Sequence, residues 1–123
     1  MKGETMSKEN KEIEKLIKTE ITRLNKFYKE INEEKRATAK VLIDNLAFMT
    51  IQMNLMKERI NEEGVMIKYQ NGENQWGYKK SPDVDTYNSF IKQSTTIVKQ
   101  LTDLLPKDVP VEIDDGFEEL VYR

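Results

Sequence analysis

The sequence contains no cysteine and no histidine, and each absence excludes a kind of chemistry. Without cysteine there is no disulfide framework, thiolate nucleophile or thiolate metal ligand. Without histidine the chain lacks the commonest metal ligand and the commonest general base near neutral pH. The sequence also has no calcium-loop spacing, phosphate-binding glycine loop or nucleophile elbow. We therefore expect a protein that is not an enzyme, with no catalytic residues, cofactor or metal site. Carboxylates that hold magnesium for catalysis are a weaker alternative.

Apolar residues are scarce as well. They make up 37% of the 123 residues, and charged residues make up 34%, against about 45–50% and about 25% in typical globular domains. A chain of this length with so little apolar material buries only a modest core. Because contacts between copies would bury more apolar surface, we expect one folded unit that forms a homo-oligomer.

No apolar run is long enough to span a bilayer, which takes about 20 residues. The most apolar stretch, VLIDNLAFMTIQMNLM, covers residues 41–56 and includes the charged Asp44. The N-terminal residues MKGETMSKENKEIEK lack the apolar run of a secretory signal. We expect a soluble, cytoplasmic protein with no membrane partner.

Apolar residues recur at helical spacing in three segments, 8–33, 34–63 and 82–105. The sequence therefore predicts an all-α fold. Its second and third helices form a long antiparallel hairpin, which an N-terminal amphipathic helix precedes. The three predicted regions are an N-terminal helix that is a candidate DNA contact, a hairpin for oligomerisation and an acidic tail, at residues 1–35, 36–106 and 107–123.

Residues with known preferences for helix ends mark these boundaries. Ser7 is a suitable N-cap for the first helix, and Gly64 is suited to the left-handed position that ends the second. Ser81 followed by Pro82 is a suitable start for the third helix, and Pro106 is its expected end.

The second helix has the most apolar surface. One set of its apolar residues alternates at intervals of three and four, the seven-residue repeat of a coiled coil. A second line, Val41, Phe48 and Leu55, lies beside the first. Because a helix that is apolar on two sides needs a partner on each, we expect it to pack within its own chain and against another copy. The predicted oligomer interface consists of Leu42, Leu46, Met49, Met53, Met56 and Ile60.

The segment NGENQWGYKKSP, residues 71–82, connects the second and third helices. It is much longer than a reversal of direction requires. The pair Asn71-Gly72 is preferred in two-residue type I′ turns. Alternating residues on either side of this pair predict a short β-ribbon.

The aromatic residues of this connector have two interpretations. Val65, Ile67 and Tyr69 alternate along the first strand and predict a buried face. Trp76 and Tyr78 lie on one face of the second strand, and we expect them to form a buried clasp over the end of the helical hairpin. Base stacking or contact with a partner is the alternative.

Lysines are the candidate nucleic-acid contacts. Four lysines recur at intervals of three and four on one face of the first helix, and two more follow the aromatic residues of the connector. Glutamates lie among them, no helix-turn-helix pattern is present, and the net charge of −2 argues against tight binding by one copy. Repetition around an oligomer would strengthen a weak patch. The predicted DNA-binding residues are Lys8, Lys11, Lys15, Lys18, Lys79 and Lys80.

The tail from residue 107 onward has a net charge of −4. Its apolar residues are spaced like the anchors of a short helix that forms on a partner. An acidic segment that only keeps the chain soluble is an equal alternative. The predicted partner-binding residues are Phe117, Leu120 and Tyr122.

The order of these features resembles a known family. A long apolar helix ends in Glu-Glu-Gly, a connector with glycines and aromatics leads into Ser-Pro, and a helix ends in LTDLLP. The segments NGENQWGYKKSP, YNSFIK and IVKQLTDLLP show the likeness, which covers about residues 36–106. The pattern is similar to that of phage terminase small subunits of the short class called P twenty-seven. That family has Asn-Pro where this chain has Ser81-Pro82, and both Asn and Ser cap helices.

The resemblance implies a non-enzymatic subunit that forms a ring, recognises the viral genome and passes it to the large terminase subunit. The large subunit has the ATPase and nuclease activities. The resemblance also implies that the helical hairpin is the assembly element. Double-stranded DNA and the large subunit would be partners, in the host cytoplasm. The alternative is a helical oligomeric adaptor or structural protein that binds only other proteins.

Overall fold

The structure is a computed structural model, and it describes residues 7–107. Within this range the chain forms three long helices and a two-stranded antiparallel sheet, which confirms the predicted helical fold with a β-ribbon connector. The predicted partner-binding residues Phe117, Leu120 and Tyr122 lie outside the described residues. The elements are α1 (Lys8–Phe27), a 3₁₀ turn (Glu33–Lys35), α2 (Arg36–Glu63), β1 (Met66–Gln70), β2 (Trp76–Lys80) and α3 (Pro82–Leu104).

Helix α1 begins where the sequence predicts and ends earlier. The Ser7 hydroxyl oxygen accepts a hydrogen bond from the Asn10 backbone N–H at 3.1 Å, which caps the helix. The prediction of a helix to residue 33 is wrong because Tyr28 and Ile31, each 3% exposed, pack into the core after the helix ends at Phe27. Residues 28–35 contain no glycine or proline. The helix therefore ends because of side-chain packing and not because of a helix-breaking residue.

Helices α1 and α3 both pack against α2 and run antiparallel to it. The buried cluster joins the C-terminal half of α1, the N-terminal half of α2 and the last turns of α3. Ala39 and Ala47 are at most 1% exposed, and their small side chains let the neighbouring helices approach α2 closely. Ile43 and Leu101 are the largest fully buried side chains of the described range. The core therefore lies at the end of the bundle opposite the ribbon.

The structure corrects part of the predicted oligomer interface. Leu46 is 5% exposed and Met56 is 3% exposed, so both stabilise the fold of the single chain and are not available to another copy. The seven-residue repeat therefore marks, in large part, the side of α2 that packs within its own chain. The other predicted interface residues are partly buried: Leu42, Met49, Met53 and Ile60.

The loop of the ribbon differs from the predicted turn. It has five residues, 71–75, so the predicted two-residue type I′ turn at Asn71-Gly72 is wrong. A type I′ turn needs positive φ at both central residues, whereas positive φ occurs here at Gly72 (106°) and Asn74 (62°). A hydrogen bond from the Asn71 backbone N–H to the Gln75 carbonyl, 2.8 Å long, closes the loop.

Both junctions between the ribbon and the helices lie at the predicted residues, but Gly64 is the C-cap of α2 with ψ 167° and is not in the left-handed helical conformation expected of a C′ glycine. Gly64 ends α2 at φ 88°, a backbone conformation that side-chain-bearing residues rarely adopt. The Ser81 hydroxyl oxygen accepts a hydrogen bond from the Asp83 backbone N–H at 3.2 Å and caps α3. The Ser81 backbone N–H donates to the Val65 carbonyl at 2.8 Å, which continues the pairing of the two strands to the base of the ribbon.

Candidate functional site

An ion pair joins the ends of α2 and α3 where the ribbon leaves the bundle. Arg59 Nε lies 2.9 Å from Asp83 Oδ2, and Arg59 Nη2 lies 3.0 Å from Oδ1. The hydrogen bonding to Asp83 raises the pKa of Arg59, desolvation opposes this, and the charges of Asp83, Glu63 and Glu9 raise the pKa further. Because Glu9 is in the first turn of α1, all three helices have one end near this pair.

The ribbon next to this pair is exposed, so the predicted clasp is wrong. Trp76 is 58% exposed and Tyr78 is 69% exposed. The two strands pack chiefly against each other, and the helices do not cover these rings. Trp76 lies opposite Gln70 and Tyr78 opposite Lys68, so both rings share a face with polar residues of β1. We call this side of the ribbon the aromatic face; it consists of Met66, Lys68, Gln70, Trp76, Tyr78 and Lys80.

The two lysines of the aromatic face make weak contacts within the chain. Lys68 Nζ lies 4.9 Å from the centroid of the Trp76 ring, within the range of a cation–π interaction. Lys80 Nζ lies 2.8 Å from Asp85 Oδ1 on the exposed surface. An exposed ion pair of this kind contributes about 0–1 kcal/mol. Both ammonium groups are therefore able to exchange these contacts for contacts with a ligand.

The opposite face of the ribbon contains Ile67, Tyr69, Gly77 and Lys79. The Tyr69 ring lies over Gly77, where an added Cβ would be 3.1 Å from the ring. Lys79 Nζ lies 5.6 Å from the centroid of the same ring. Ile67 is partly buried, but Tyr69 is 37% exposed and Val65 is 57% exposed. The prediction of a buried face on the first strand therefore holds for Ile67 alone, and only in part.

All four predicted DNA-binding lysines of α1 are exposed. Lys8 and Lys11 belong to the first turn and lie at the same end of the bundle as the ribbon lysines. Lys15 and Lys18 lie farther along α1, and Lys18 Nζ is 4.0 Å from a Glu14 carboxylate oxygen. The structure thus brings the first turn of α1 and the ribbon to one end of the molecule. Lys15 and Lys18 lie along the side of the bundle, away from this end.

Two lines of exposed apolar residues lie on the helices. Val41 is 60% exposed and Phe48 is 47% exposed, and together with the partly buried Leu55 they form what we call the outer line of α2. Helix α3 has a shorter line, in which Ile91 is 41% exposed and Val98 is 38% exposed. Members of each line are seven residues apart, so they lie on the same side of their helix.

The described residues also include a groove and several carboxylates, the features that a metal or ligand site would need. Within residues 7–107 no group of three or more carboxylates is placed to hold a metal ion. An open groove of about 250 Å³ between α1 and α2 contains Lys40 and Asp44, which pair with each other at 3.0 Å. Over the same residues, no helix is both long enough and apolar enough to cross a membrane.

Comparisons with protein-family models, with curated proteins and with solved structures found no match to this chain. The resemblance to terminase small subunits therefore rests on the features of the sequence.

Sequence reasoning missed three residues of this region. Arg59 and Asp83 are 24 residues apart, and their pairing depends on the shape of the connector, which no local pattern fixes. Lys68 was detectable, because a strand beginning at Met66 places Lys68 on the face that Trp76 occupies once the register is known. The missing information was the register, since the loop has five residues and not two.

Proposed function

We propose that this chain is a non-enzymatic component of viral DNA packaging, of the terminase small-subunit type. In this role it assembles into a ring, recognises genomic DNA and recruits or regulates the large terminase subunit. The observation that carries the proposal is the outer line of α2, where Val41 and Phe48 are 60% and 47% exposed. Exposed apolar residues aligned on one side of a helix suit contact with a protein partner. Because the chain buries only a small core of its own, another copy of this chain is the partner we propose.

The two apolar lines support a contact between different surfaces of successive copies. The outer line of α2 and the Ile91–Val98 line of α3 share an interval of seven residues, about 10.5 Å along a helix, so their side chains can interdigitate. A contact between two different surfaces forms a closed ring when the rotation between copies closes. Burial of each large apolar side chain contributes roughly 1.5–3 kcal/mol. A few such residues per contact, repeated in every copy, give a stable assembly.

The distribution of charge supports the DNA-binding part of the proposal. Residues 7–107 contain 18 basic and 15 acidic residues, a net charge of +3, whereas residues 108–123 have a net charge of −5. We call the end of the bundle that contains the ribbon and the first turn of α1 the ribbon end. A ring would repeat the lysines of the ribbon end around one rim and concentrate their electrostatic field there. The acidic tail, which lies outside the described residues, is the segment we propose for contact with the large subunit.

The mass of the native particle in solution tests this function. We expect light scattering to show an assembly of many copies, and we expect that assembly to retain duplex DNA at low salt and to release it at moderate salt. A stable monomer at micromolar concentration would remove the physical basis of the proposal.

A second candidate function is that of an oligomeric adaptor that binds only other proteins. The exposure of Val65 (57%) and Met66 (51%) at the base of the ribbon favours it, because apolar side chains suit a protein partner. An assembly of many copies that fails to retain any DNA at low salt would support this adaptor.

A further inference from the structure

We infer that the aromatic face of the ribbon binds unpaired bases of DNA, an inference that rests on the proposed function in DNA packaging. Trp76 and Tyr78 are two residues apart on β2, so their rings leave the same face about 7 Å apart. Both rings are well exposed, at 58% and 69%. Exposed rings on one face of a sheet are a platform on which successive bases stack.

Lysines on the same face match the charge of a nucleic-acid backbone. Lys68 lies opposite Tyr78 in the sheet, and its Nζ is 4.9 Å from the Trp76 ring. A base that stacks on Trp76 replaces this exposed cation–π contact, which is the weaker of the two interactions. The displaced ammonium group is then free to contact the adjoining phosphate. Residues 65–80 contain three lysines and one glutamate, so the ribbon as a whole has a net charge of +2.

Unpaired bases suit this face better than an intact duplex. In a duplex the faces of the bases are stacked on one another, and only their edges are accessible in the grooves. Trp76 and Tyr78 would therefore have no ring to stack on. Entry of the ribbon tip into a groove would also bring Glu73, an acidic residue of the exposed loop, among the phosphates.

The fluorescence of Trp76, the only tryptophan, reports this site in the full chain. We expect an oligothymidylate of about 12 nucleotides, within the usual site sizes for single strands, to quench the emission to saturation. A duplex of equal length should quench it little. Added salt should weaken the quenching, since phosphate contacts release counterions.

Variants with matched controls separate stacking from general charge. Tyr78→Ala should lower affinity for the oligothymidylate by about 5- to 150-fold, the range for loss of one stacked base, and Tyr78→Phe should keep it. Tyr69→Ala removes the same ring from the opposite face and should have little effect. Lys68→Gln should reduce the salt dependence of binding by about 0.7 in log–log slope, and Lys99→Gln, on the exposed surface of α3, should not.

Five results would overturn the inference. The first is equal quenching by duplex and single strand, and the second is an equal loss of affinity in Tyr69→Ala and Tyr78→Ala. The third is quenching by an acidic peptide but not by the oligothymidylate. Retention of duplex DNA without any change at Trp76 rejects the inference and leaves the packaging function intact, whereas failure to retain any nucleic acid rejects both. If Tyr78→Ala does not fold, the affinity of Tyr78→Phe and the quenching of the unaltered chain by single-stranded and duplex DNA decide whether the inference holds.

Discussion

Asp83 accepts two hydrogen bonds from the Arg59 guanidinium group, at 2.9 Å from Nε and 3.0 Å from Nη2. The pair connects the last turns of α2 to the first turn of α3 across the base of the ribbon. Hydrogen bonding from Arg59 lowers the pKa of Asp83, and the positive charge of Arg59 lowers it further, against an opposing effect of desolvation. The pair therefore stabilises the fold only while Asp83 is ionised.

Replacement of Asp83 by Asn should make the stability of the fold less sensitive to acid. A carboxylate with a lowered folded-state pKa contributes fully above its unfolded pKa, about 3.9 for Asp. It loses that contribution as the pH falls through the folded-state pKa. Asp83→Asn should therefore melt below the unaltered protein at pH 7, and the difference should shrink when the pH falls below about 3.9. Thermal melts followed by circular dichroism measure it.

The matched control for this variant is Asp103→Asn, which makes the same change at an exposed carboxylate near the other end of α3. It should melt like the unaltered protein. A deficit in Asp83→Asn that stays constant from neutral to acidic pH would show that the ion pair is not its cause.

The elements with local signals were predictable from the sequence. Ser7, Gly64 and Ser81 occupy the helix ends assigned to them, because caps and positive-φ glycines act through the adjacent backbone. The end of α1 was not predictable in this way. Tyr28 and Ile31 leave the helix to pack against residues of α2 that are distant in the sequence.

The sequence predicted which residues form the candidate site, but it did not predict that their side chains are exposed. The pattern of the connector indicated a ribbon with aromatic and basic residues, and the structure contains one. Whether Trp76 covers the helices depends on the register and on the direction in which the ribbon leaves the bundle. The five-residue loop sets the register, and that loop was missed because Asn-Gly is so often a two-residue turn. The same limit applies to α2. The repeat alone did not show that Leu46 packs within the chain and that Phe48 is exposed.

Charged residues on the outer line of α2 should dissociate the assembly without unfolding the chain. The double variant Val41→Glu, Phe48→Glu would place unpaired charges in the proposed contact between copies, at a cost of several kcal/mol. Light scattering should show a smaller particle, and circular dichroism should show unchanged helicity. Asn54→Glu is the control, because it adds charge at an exposed position that points away from the outer line. A particle of unchanged mass in the double variant would place the interface elsewhere.

Leu46→Ala should act through the fold of the single chain. Leu46 is 5% exposed and belongs to the buried cluster that joins α1, α2 and α3. Its truncation should lower the free energy of unfolding by roughly 2–5 kcal/mol, as urea denaturation measures it. If the variant instead keeps its stability and forms a smaller particle in solution, Leu46 is an interface residue.

Trp76→Ala should have little effect on stability in the absence of a ligand. Because the Trp76 ring is 58% exposed, the free energy of unfolding should change by no more than about 0.5 kcal/mol, as is usual for surface residues. The emission of the unaltered protein should be red-shifted and readily quenched by acrylamide or iodide. A blue-shifted, protected emission from the assembly would mean that another copy covers the aromatic face.

The lysines at the ribbon end should account for most of the salt dependence of duplex DNA binding. Lys8 and Lys11 in the first turn of α1 lie at the same end of the bundle as Lys79 on β2, whereas Lys99 is near the other end of α3. Each phosphate contact contributes about 0.9 to the slope of log affinity against log salt. Replacement of Lys8, Lys11 and Lys79 by Gln should thus reduce that slope by up to about 2.7 per copy in contact with DNA. The control variant Lys99→Gln, which also replaces a charged side chain by an uncharged one, should leave the slope unchanged. Equal slopes for the triple variant and the unaltered assembly, measured by anisotropy of a labelled duplex, would exclude the ribbon end as the site of phosphate contact.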